Sequence, residues 1–271
     1  MIRQLNIVLI GAALASSLFS QGVWAGSNQT TEIKHSIPEV EQFAKQVERY
    51  AAKERARAFI IGRVGRPAKD LPVGISFTHT AIAVYSSITL DSGEVVKGYA
   101  IHNLYQKEGK LNRSELVVDY PVDFFWGVDA LKAGIIIPTS DLQNRIVDVI
   151  ANGKDKLLHN QKYSVIANPF NNRYQNCTEY TLNIINSAIY DTTDTATLKE
   201  TAKRYFQAQR IDISPVKLML GNWFVDDVTT KDHSRKIYTT TFTKIGRYLE
   251  YNDLVAKAVI IDNDGNERPL Y

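Results

Sequence analysis

Apolar residues recur at helical spacing between Cys177 and Tyr190, and the polar loop 168–172 precedes them. This pattern predicts a helix that begins at Cys177. The chain contains one cysteine. Its predicted place at a helix N-terminus favours a thiolate, because unpaired backbone N–H groups and the helix dipole stabilise negative charge there. Cys177 is therefore a candidate nucleophile, and the alternative is a small buried apolar side chain, as most free cysteines are.

A second helical pattern follows Ser36. Ser36 as N-cap, Pro38 in the first turn and Glu39 three residues after the cap form a helix-start signature. Apolar residues continue at helical spacing to about Ala58. We predict an N-terminal helix that packs on the rest of the protein through this apolar stripe.

Two segments rich in β-branched and aromatic residues, 77–85 and 94–105, predict a β-hairpin. A two-residue turn between them would place His79 and His102 on the same side of the sheet, about four residues apart along it. A longer loop or a bulge would bring the two rings together. The sequence leaves this register open.

Residues 1–25 have the pattern of a secretory signal: one basic residue, an apolar segment and a small-residue cleavage site ending at Ala25. The full chain has a formal charge of +3, and Arg3 is the one charged residue in this segment, so the cleaved chain would carry +2. Such a near-neutral charge gives no indication of nucleic-acid binding. No later apolar run approaches the roughly 20 residues needed to cross a bilayer. We expect a periplasmic protein that does not span the membrane.

The single cysteine cannot form an internal disulfide, and a thiol kept in an oxidising compartment is one that we expect to be used. Neither a metal-ligand spacing nor a glycine-rich nucleotide motif is found in the sequence. We therefore expect no metal and no cofactor. The sequence does not indicate the oligomeric state.

A thiol nucleophile requires a base within hydrogen-bond reach and a polar group that orients the base. Of the five histidines, His79 and His102 lie on predicted strands, where a rigid element can hold the ring. His35 lies in a predicted tether and His159 in a polar loop. His233 has an acidic neighbour but no rigid element, so it remains a weaker alternative.

Three short motifs carry a resemblance to a known fold: His79 in His-Thr-Ala-Ile-Ala-Val-Tyr, His102 in Ala-Ile-His-Asn-Leu-Tyr and Cys177 in Asn-Cys-Thr-Glu-Tyr. They resemble the circularly permuted papain-like fold of lecithin:retinol acyltransferase relatives and of permuted NlpC-type cell-wall peptidases. The chain order His, His, Cys is the permuted order. The runs Asn-Leu-Tyr-Gln, Asp-Tyr-Pro-Val-Asp-Phe-Phe and Gln-Asn-Cys-Thr-Glu also resemble an uncharacterised bacterial family of exported proteins, over most of the mature chain.

The resemblance implies a role for each motif residue. Cys177 would be the nucleophile, His79 the general base and His102 the group that orients the base. The spacing between the two histidines is long for the acyltransferase branch, so Asn103 is an alternative for the third role.

The resemblance also implies an α+β fold with four segments. A permuted papain-like core at 59–190 would contain an antiparallel sheet packed against the Cys-bearing helix. The signal peptide (1–25) and a polar tether with the N-terminal helix (26–58) would precede the core. A helical C-terminal extension (191–271) would pack on it.

The function expected from these observations is that of an exported cysteine hydrolase that cleaves amide bonds, with peptidoglycan stem peptides as the most accessible periplasmic substrate. One alternative is acyl transfer, or thioester and ester hydrolysis, on lipid substrates. A deep apolar groove beside Cys177 would favour this alternative, whereas an open polar cleft would favour a peptide. Another alternative is a catalytically silent binding or scaffold protein.

Overall fold

The computed structural model describes residues 33–90, 92–212 and 229–271. The predicted signal peptide, its cleavage site at Ala25 and most of the predicted tether lie outside these residues. Over the described ranges, no helix combines the length and the apolar character that crossing a bilayer would require.

The helices of the described residues are mostly short. Their bounds are α1 (Ile37–Lys53), α2 (Pro121–Phe125), α3 (Ser140–Ala151), α4 (Lys154–Leu157), α5 (Cys177–Tyr190), α6 (Thr195–Tyr205) and α7 (Phe242–Tyr251), with a 3-10 turn at Ala68–Asp70.

The strands are β1 (Ala58–Val64), β2 (His79–Thr89), β3 (Val95–Lys107), β4 (Lys110–Asp119), β5 (Ala130–Pro138), β6 (Gln209–Ile211), β7 (Ile237–Thr239), β8 (Val255–Asp262) and β9 (Glu267–Pro269).

A seven-stranded antiparallel sheet forms the centre of the described structure, with strand order β4-β3-β2-β1-β5-β8-β9. Strands β6 and β7 form a separate two-stranded ribbon. The α+β class and the antiparallel sheet are therefore confirmed. The segment 191–271, predicted as a helical extension, contains α6 and α7 and also supplies β8 and β9 to the main sheet.

Both faces of the sheet are covered, because alternate residues of each strand point to opposite sides. Even-numbered residues such as Ile60 and Ile82 pack against α3, α5 and α7. We call this side the α5 face. Odd-numbered residues such as Phe59 and Ala81 pack against α1 and α2, and we call this side the α1 face. The central strands are therefore buried on both sides. Whether a residue of these strands has an odd or an even number determines the face of the sheet on which its side chain packs.

The two helices predicted at Ser36 and Cys177 are confirmed at their N-termini. Ser36 caps α1, and its hydroxyl and backbone N–H both bond the Glu39 carboxylate at 2.7 Å. Helix α1 ends at Lys53, earlier than the predicted Ala58. Arg55 has a positive φ of 54°, which interrupts the helix and turns the chain into β1.

Helix α7 is anchored to the centre of the sheet by an aromatic ring that rests on two glycines. Gly62 of β1 and Gly134 of β5 are paired in register. A methyl group at either position would come within 2.8 Å of a ring carbon of Phe242. The Phe242 ring also lies 4.7 Å from that of Phe77. Because Phe242 opens α7, this contact also fixes the position of the chain just before the helix.

We expect Phe242→Ala to destabilise the protein by about 3–5 kcal/mol, the usual cost of removing a buried aromatic ring. Phe242 is 1% exposed. Tyr251, at the other end of the same helix, is 87% exposed, and Tyr251→Ala should change stability by no more than about 0.5 kcal/mol. Urea unfolding of both variants measures the difference. Equal stabilities for the two would show that the ring does not anchor α7.

Candidate active site

Cys177 is the first residue of α5, and Asn176 is the N-cap. The Asn176 side-chain oxygen accepts the backbone N–H of Glu179 at 2.9 Å. Its amide nitrogen donates to the carbonyl of Val165 at 2.8 Å. The Asn-Cys motif therefore has a local physical reason, since the asparagine caps the helix and ties its first turn to a neighbouring loop. This holds the cysteine at the helix N-terminus, as predicted.

His79 opens β2 and is hydrogen-bonded to Asn103 of β3. The distance from His79 Nε2 to Asn103 Oδ1 is 2.9 Å, and both residues are 1% exposed. The amide nitrogen of Asn103 donates to the carbonyl of Ile101 at 2.9 Å and to the carboxylate of Asp119 at 3.2 Å. Both partners only accept, so the oxygen of the amide must face the histidine.

This arrangement determines the tautomer of His79. An amide oxygen accepts but cannot donate, so Nε2 of His79 carries the proton. In the neutral ring, Nδ1 is then the acceptor nitrogen. A histidine in this state is suited to take a proton through Nδ1.

Two further groups hold the His79 ring in place. The ring of Tyr105 stacks on it at 4.7 Å with a 10° angle between the planes, and the Tyr105 hydroxyl donates to Asp119. The Arg63 guanidinium is buried, donates to the carbonyl of Phe124 and lies 5.6 Å from the centre of the Tyr105 ring. His79, Asn103, Tyr105 and Asp119 thus form one connected network on the α1 face.

The thiol of Cys177 meets the start of β2. It lies within hydrogen-bonding range of the backbone N–H of Thr80, the residue after His79, and of the N–H groups of Thr178 and of Cys177 itself. The charge of Arg63 acts on both the thiol and His79. The helix and the strand therefore place the sulfur beside the backbone N–H of the residue that follows His79.

The sulfur of Cys177 lies where strands β2 and β3 separate. The Tyr85 N–H donates to the carbonyl of Arg57, so the odd-numbered residues of β2 bond to β1. The N–H of even-numbered Thr80 consequently points toward β3. In the described sheet, the pairing of β2 with β3 begins at Ile82. The Thr80 N–H therefore lies where the strands separate, and the thiol occupies that position.

Burial dominates the electrostatics of both groups. It raises the pKa of the Cys177 thiol, although the three N–H groups and Arg63 act in the opposite direction. Burial, followed by the Arg63 charge, holds the pKa of His79 well below its usual value, against the hydrogen bond to the Asn103 oxygen, which favours the charged ring. The sequence predicted a thiolate from the helix terminus alone. In the structure burial acts against this prediction, because the cost of burying charge disfavours both the thiolate and the imidazolium.

The turn between β2 and β3 differs from the two-residue prediction. The Leu90 N–H donates to the carbonyl of Glu94 at 2.8 Å, so three residues connect the paired positions. Gly93 has a φ of 83°, the left-handed conformation that three-residue hairpin loops use at their last position. The extra loop residue shifts the register by one.

This register separates the two histidines. His102 pairs with Ile82 and so lies on the α5 face, whereas His79 and Asn103 lie on the α1 face. Burial lowers the pKa of His102, and the charges that act on it come from Asp155 and Lys156 of α4. The prediction that His79 and His102 share a face is wrong. The alternative third residue, Asn103, makes the contact with His79.

A cavity of about 110 Å³ opens beside Cys177. Aliphatic and aromatic side chains make most of its wall, Arg66 and Asp70 contribute charged groups, and three consecutive threonines contribute hydroxyls. A ligand in this cavity would contact mainly apolar surface close to the thiol. The apolar side chains of the wall are Leu71, Pro72, Ile75, Phe77, Val165, Ile166 and Ile211.

Sequence reasoning did not identify Arg63, Tyr105 or Asp119 as parts of the site. Tyr105 and Asp119 lie inside two of the runs that carried the family resemblance. Tyr105 is two residues after Asn103, so the two share a face of β3. Strand periodicity applied to these runs was the signal that could have found them, once the hairpin register was known.

One family model matches the chain, over residues 50–249, and its description is "Uncharacterized protein conserved in bacteria (DUF2145)". The matched region contains His79, Asn103, Cys177 and the wall of the cavity. No curated protein and no solved structure matches the chain.

We expect His79 to remain neutral, with its proton on Nε2, at about pH 5.5, below the usual histidine pKa of about 6.5. The reason is that burial disfavours the imidazolium and that Asn103 Oδ1 requires a donor. Nitrogen chemical shifts in NMR spectra report both the charge and the tautomer, and the same protein in urea provides the control. A His79 ring that is charged at this pH, or protonated on Nδ1 alone, would contradict the assignment.

Proposed function

The chain belongs to this conserved bacterial family, and we propose that it is an exported cysteine hydrolase in which Cys177 attacks a carbonyl carbon and His79 is the base. The observation that carries the proposal is the 2.9 Å hydrogen bond between His79 and Asn103, next to a cysteine at a helix N-terminus. A nucleophile, a base and an orienting group are the three parts that thiol catalysis requires. Export rests on the sequence of residues 1–25.

In the first step, His79 Nδ1 takes the thiol proton while the sulfur attacks the carbonyl carbon. General-base transfer suits these two groups, because burial disfavours the charged forms of both the thiol and the imidazole. The C=O bond opens to an oxyanion. The backbone N–H groups of Cys177 and Thr80 beside the sulfur are donors of the kind that stabilise such an oxyanion.

In the second step, the tetrahedral intermediate collapses and the bond to the leaving group breaks. His79 returns its proton to the leaving amine or alcohol, which gives a thioester on Cys177. Water then attacks the thioester carbonyl, with its proton taken by His79. Release of the acid restores the protonated thiol and the neutral ring.

We also propose that the core is papain-like and circularly permuted. The support is the chain order of the groups, with the base on one strand, Asn103 on the next strand and the cysteine last, at the head of a helix. A buried asparagine that accepts from Nε2 of the proposed base fits the role of orienting group. The antiparallel sheet packed against α5 is compatible with this core.

Amide bonds are the first candidate substrate class, and peptidoglycan peptides are the amides that a periplasmic enzyme would meet. The cavity beside Cys177 supports a second candidate, an ester or thioester with an apolar acyl group. Its wall is mainly aliphatic and aromatic, and burial of an acyl chain there would be favourable by about 0.8 kcal/mol per methylene.

We expect Cys177→Ala to abolish hydrolysis while leaving the fold intact, since the substitution removes the nucleophile from a capped helix. His79→Ala should lower kcat by about 10²- to 10⁴-fold, the usual contribution of a general base. Release of amino groups from purified peptidoglycan and hydrolysis of p-nitrophenyl butyrate measure the two candidate activities. Hydrolysis of either substrate by Cys177→Ala at the wild-type rate would refute the assignment for that substrate.

Two substitutions test whether Asn103 or its neighbour His102 orients the base. Asn103→Ala leaves the buried Nε2–H of His79 without its acceptor, at a cost of about 1–3 kcal/mol, so kcat should fall about 5- to 150-fold. His102→Ala alters the opposite face of the sheet and should leave kcat within a factor of about two. The pH profile of kcat should also move for Asn103→Ala alone. A larger fall in kcat for His102→Ala than for Asn103→Ala would instead assign the orienting role to His102.

A further inference from the structure

A groove of about 800 Å³ lies between the end of α6 and α7, and we call it the α6–α7 groove. The rings of Phe206 and Tyr248 meet in it, with their centroids 5.6 Å apart. The Tyr248 hydroxyl contacts that of Tyr190 at 3.4 Å, and Tyr190 ends the 14-residue helix that Cys177 begins. At about 1.5 Å per helical residue, the groove lies on the order of 20 Å from the thiol. Its described wall shares no residue with the cavity beside Cys177.

The described wall of the α6–α7 groove is basic. It contains four cations, Lys203, Arg204, Lys244 and Arg247, and one carboxylate, that of Glu250. Four positive charges less one negative charge give +3, which equals the formal charge of the whole chain. A near-neutral protein therefore concentrates positive charge at one concave site, and such a site attracts an anionic ligand.

Two of the four cations have ion-pair partners. Lys203 pairs with Glu200 at 2.5 Å, and Arg247 pairs with Glu250 at 3.6 Å. All four of these side chains are at least half exposed. Exposed pairs of this kind contribute little to stability, so the two cations can still attract a ligand.

The other two cations, Arg204 and Lys244, form no ion pair within the part of the chain that the structure describes. Arg204 lies in the last turn of α6, where the helix dipole favours a cation. Lys244 is the third residue of α7, where the helix dipole disfavours a cation. Stability of the fold therefore does not account for Lys244, whereas binding of an anion would.

The other side chains of the wall narrow the class of ligand. Tyr205 and Tyr251 are 50% and 87% exposed, and both line the groove. Gln207 and Glu250 add hydrogen-bond acceptors. The backbone of a polyphosphate or of a nucleic acid offers acceptors and dense negative charge, so acceptors in the wall disfavour it. A peptide offers N–H donors and well-separated carboxylates, and the mixed wall therefore favours an acidic peptide.

We propose that the α6–α7 groove binds the acidic peptides of peptidoglycan, with Arg204 and Lys244 as the cations that contact their carboxylates. The choice of peptidoglycan as the source of these peptides rests on the proposed function. A polymer held in the groove presents its neighbouring peptides to Cys177, because binding at one site raises the effective concentration at the other. The groove is thus a docking site for the polymer, apart from the site of bond cleavage.

The test measures co-sedimentation of Cys177→Ala with purified peptidoglycan at about 50 mM salt. Adding Arg204→Gln and Lys244→Gln should weaken binding about tenfold, or about 1.4 kcal/mol, because two charged contacts are lost. Arg49→Gln with Lys53→Gln removes the same two charges from exposed positions on α1. This matched control should bind as Cys177→Ala does, and its melting temperature and that of the groove variant should be close to that of Cys177→Ala.

Peptidoglycan whose carboxylates have been converted to amides provides the matched ligand, and Cys177→Ala should bind it about tenfold more weakly than the native polymer. Equal binding of the groove variant and the α1 control, or no binding of Cys177→Ala to peptidoglycan, would overturn the proposal. Undiminished binding of the amidated polymer, or tighter binding of polyphosphate than of peptidoglycan, would overturn it as well. Every protein in this test lacks the thiol, so the result is independent of hydrolysis. Failure of the proposed function would instead appear as hydrolysis retained by Cys177→Ala.

Discussion

The side chain of Asn176 is the contact on which the site depends. It caps α5 through the Glu179 N–H, holds the Val165 loop and reaches the Thr239 hydroxyl. A helix cap of this kind contributes about 1 kcal/mol to stability, but its structural effect here is wider. One buried amide fixes where α5 begins, with Cys177 as its first residue, where a cavity wall lies and where β7 ends. The position of Cys177 is thus set by an interaction that is local in sequence and connects distant segments.

The register of the sheet positions the other two residues of the site, His79 and Asn103. His79 and Asn103 meet because the register of β2 and β3 places both on the α1 face. The thiol approaches from α5, on the opposite face. It reaches the cluster where β2 and β3 have separated, at the Thr80 N–H. A shift of one residue in the hairpin would exchange Asn103 for His102, so the chemistry of the site depends on the length of a surface loop.

The elements that local chemistry determines could be predicted from the sequence. Ser36 and Glu39 mark the start of α1, and the apolar pattern after Asn176 marks α5, because caps and helical periodicity act within a few residues. The hairpin loop could not be predicted, since two-residue and three-residue turns both suit its residues. The raised pKa of Cys177 was also outside sequence reasoning, because it arises from burial by distant strands. Asp119 could not be predicted either, because its contact with Asn103 depends on the register of β3 against β4.

In the proposed mechanism, the sulfur of Cys177 becomes acylated when the protein hydrolyses its substrate. Rapid acid quenching after mixing with p-nitrophenyl butyrate, followed by peptide mass spectrometry, tests this directly. We expect one butyryl group on the peptide that contains Cys177, formed in the wild type and strongly reduced in His79→Ala. Steady hydrolysis by the wild type with the butyryl group on another residue, or with no acyl group on Cys177 at any quench time, would contradict it.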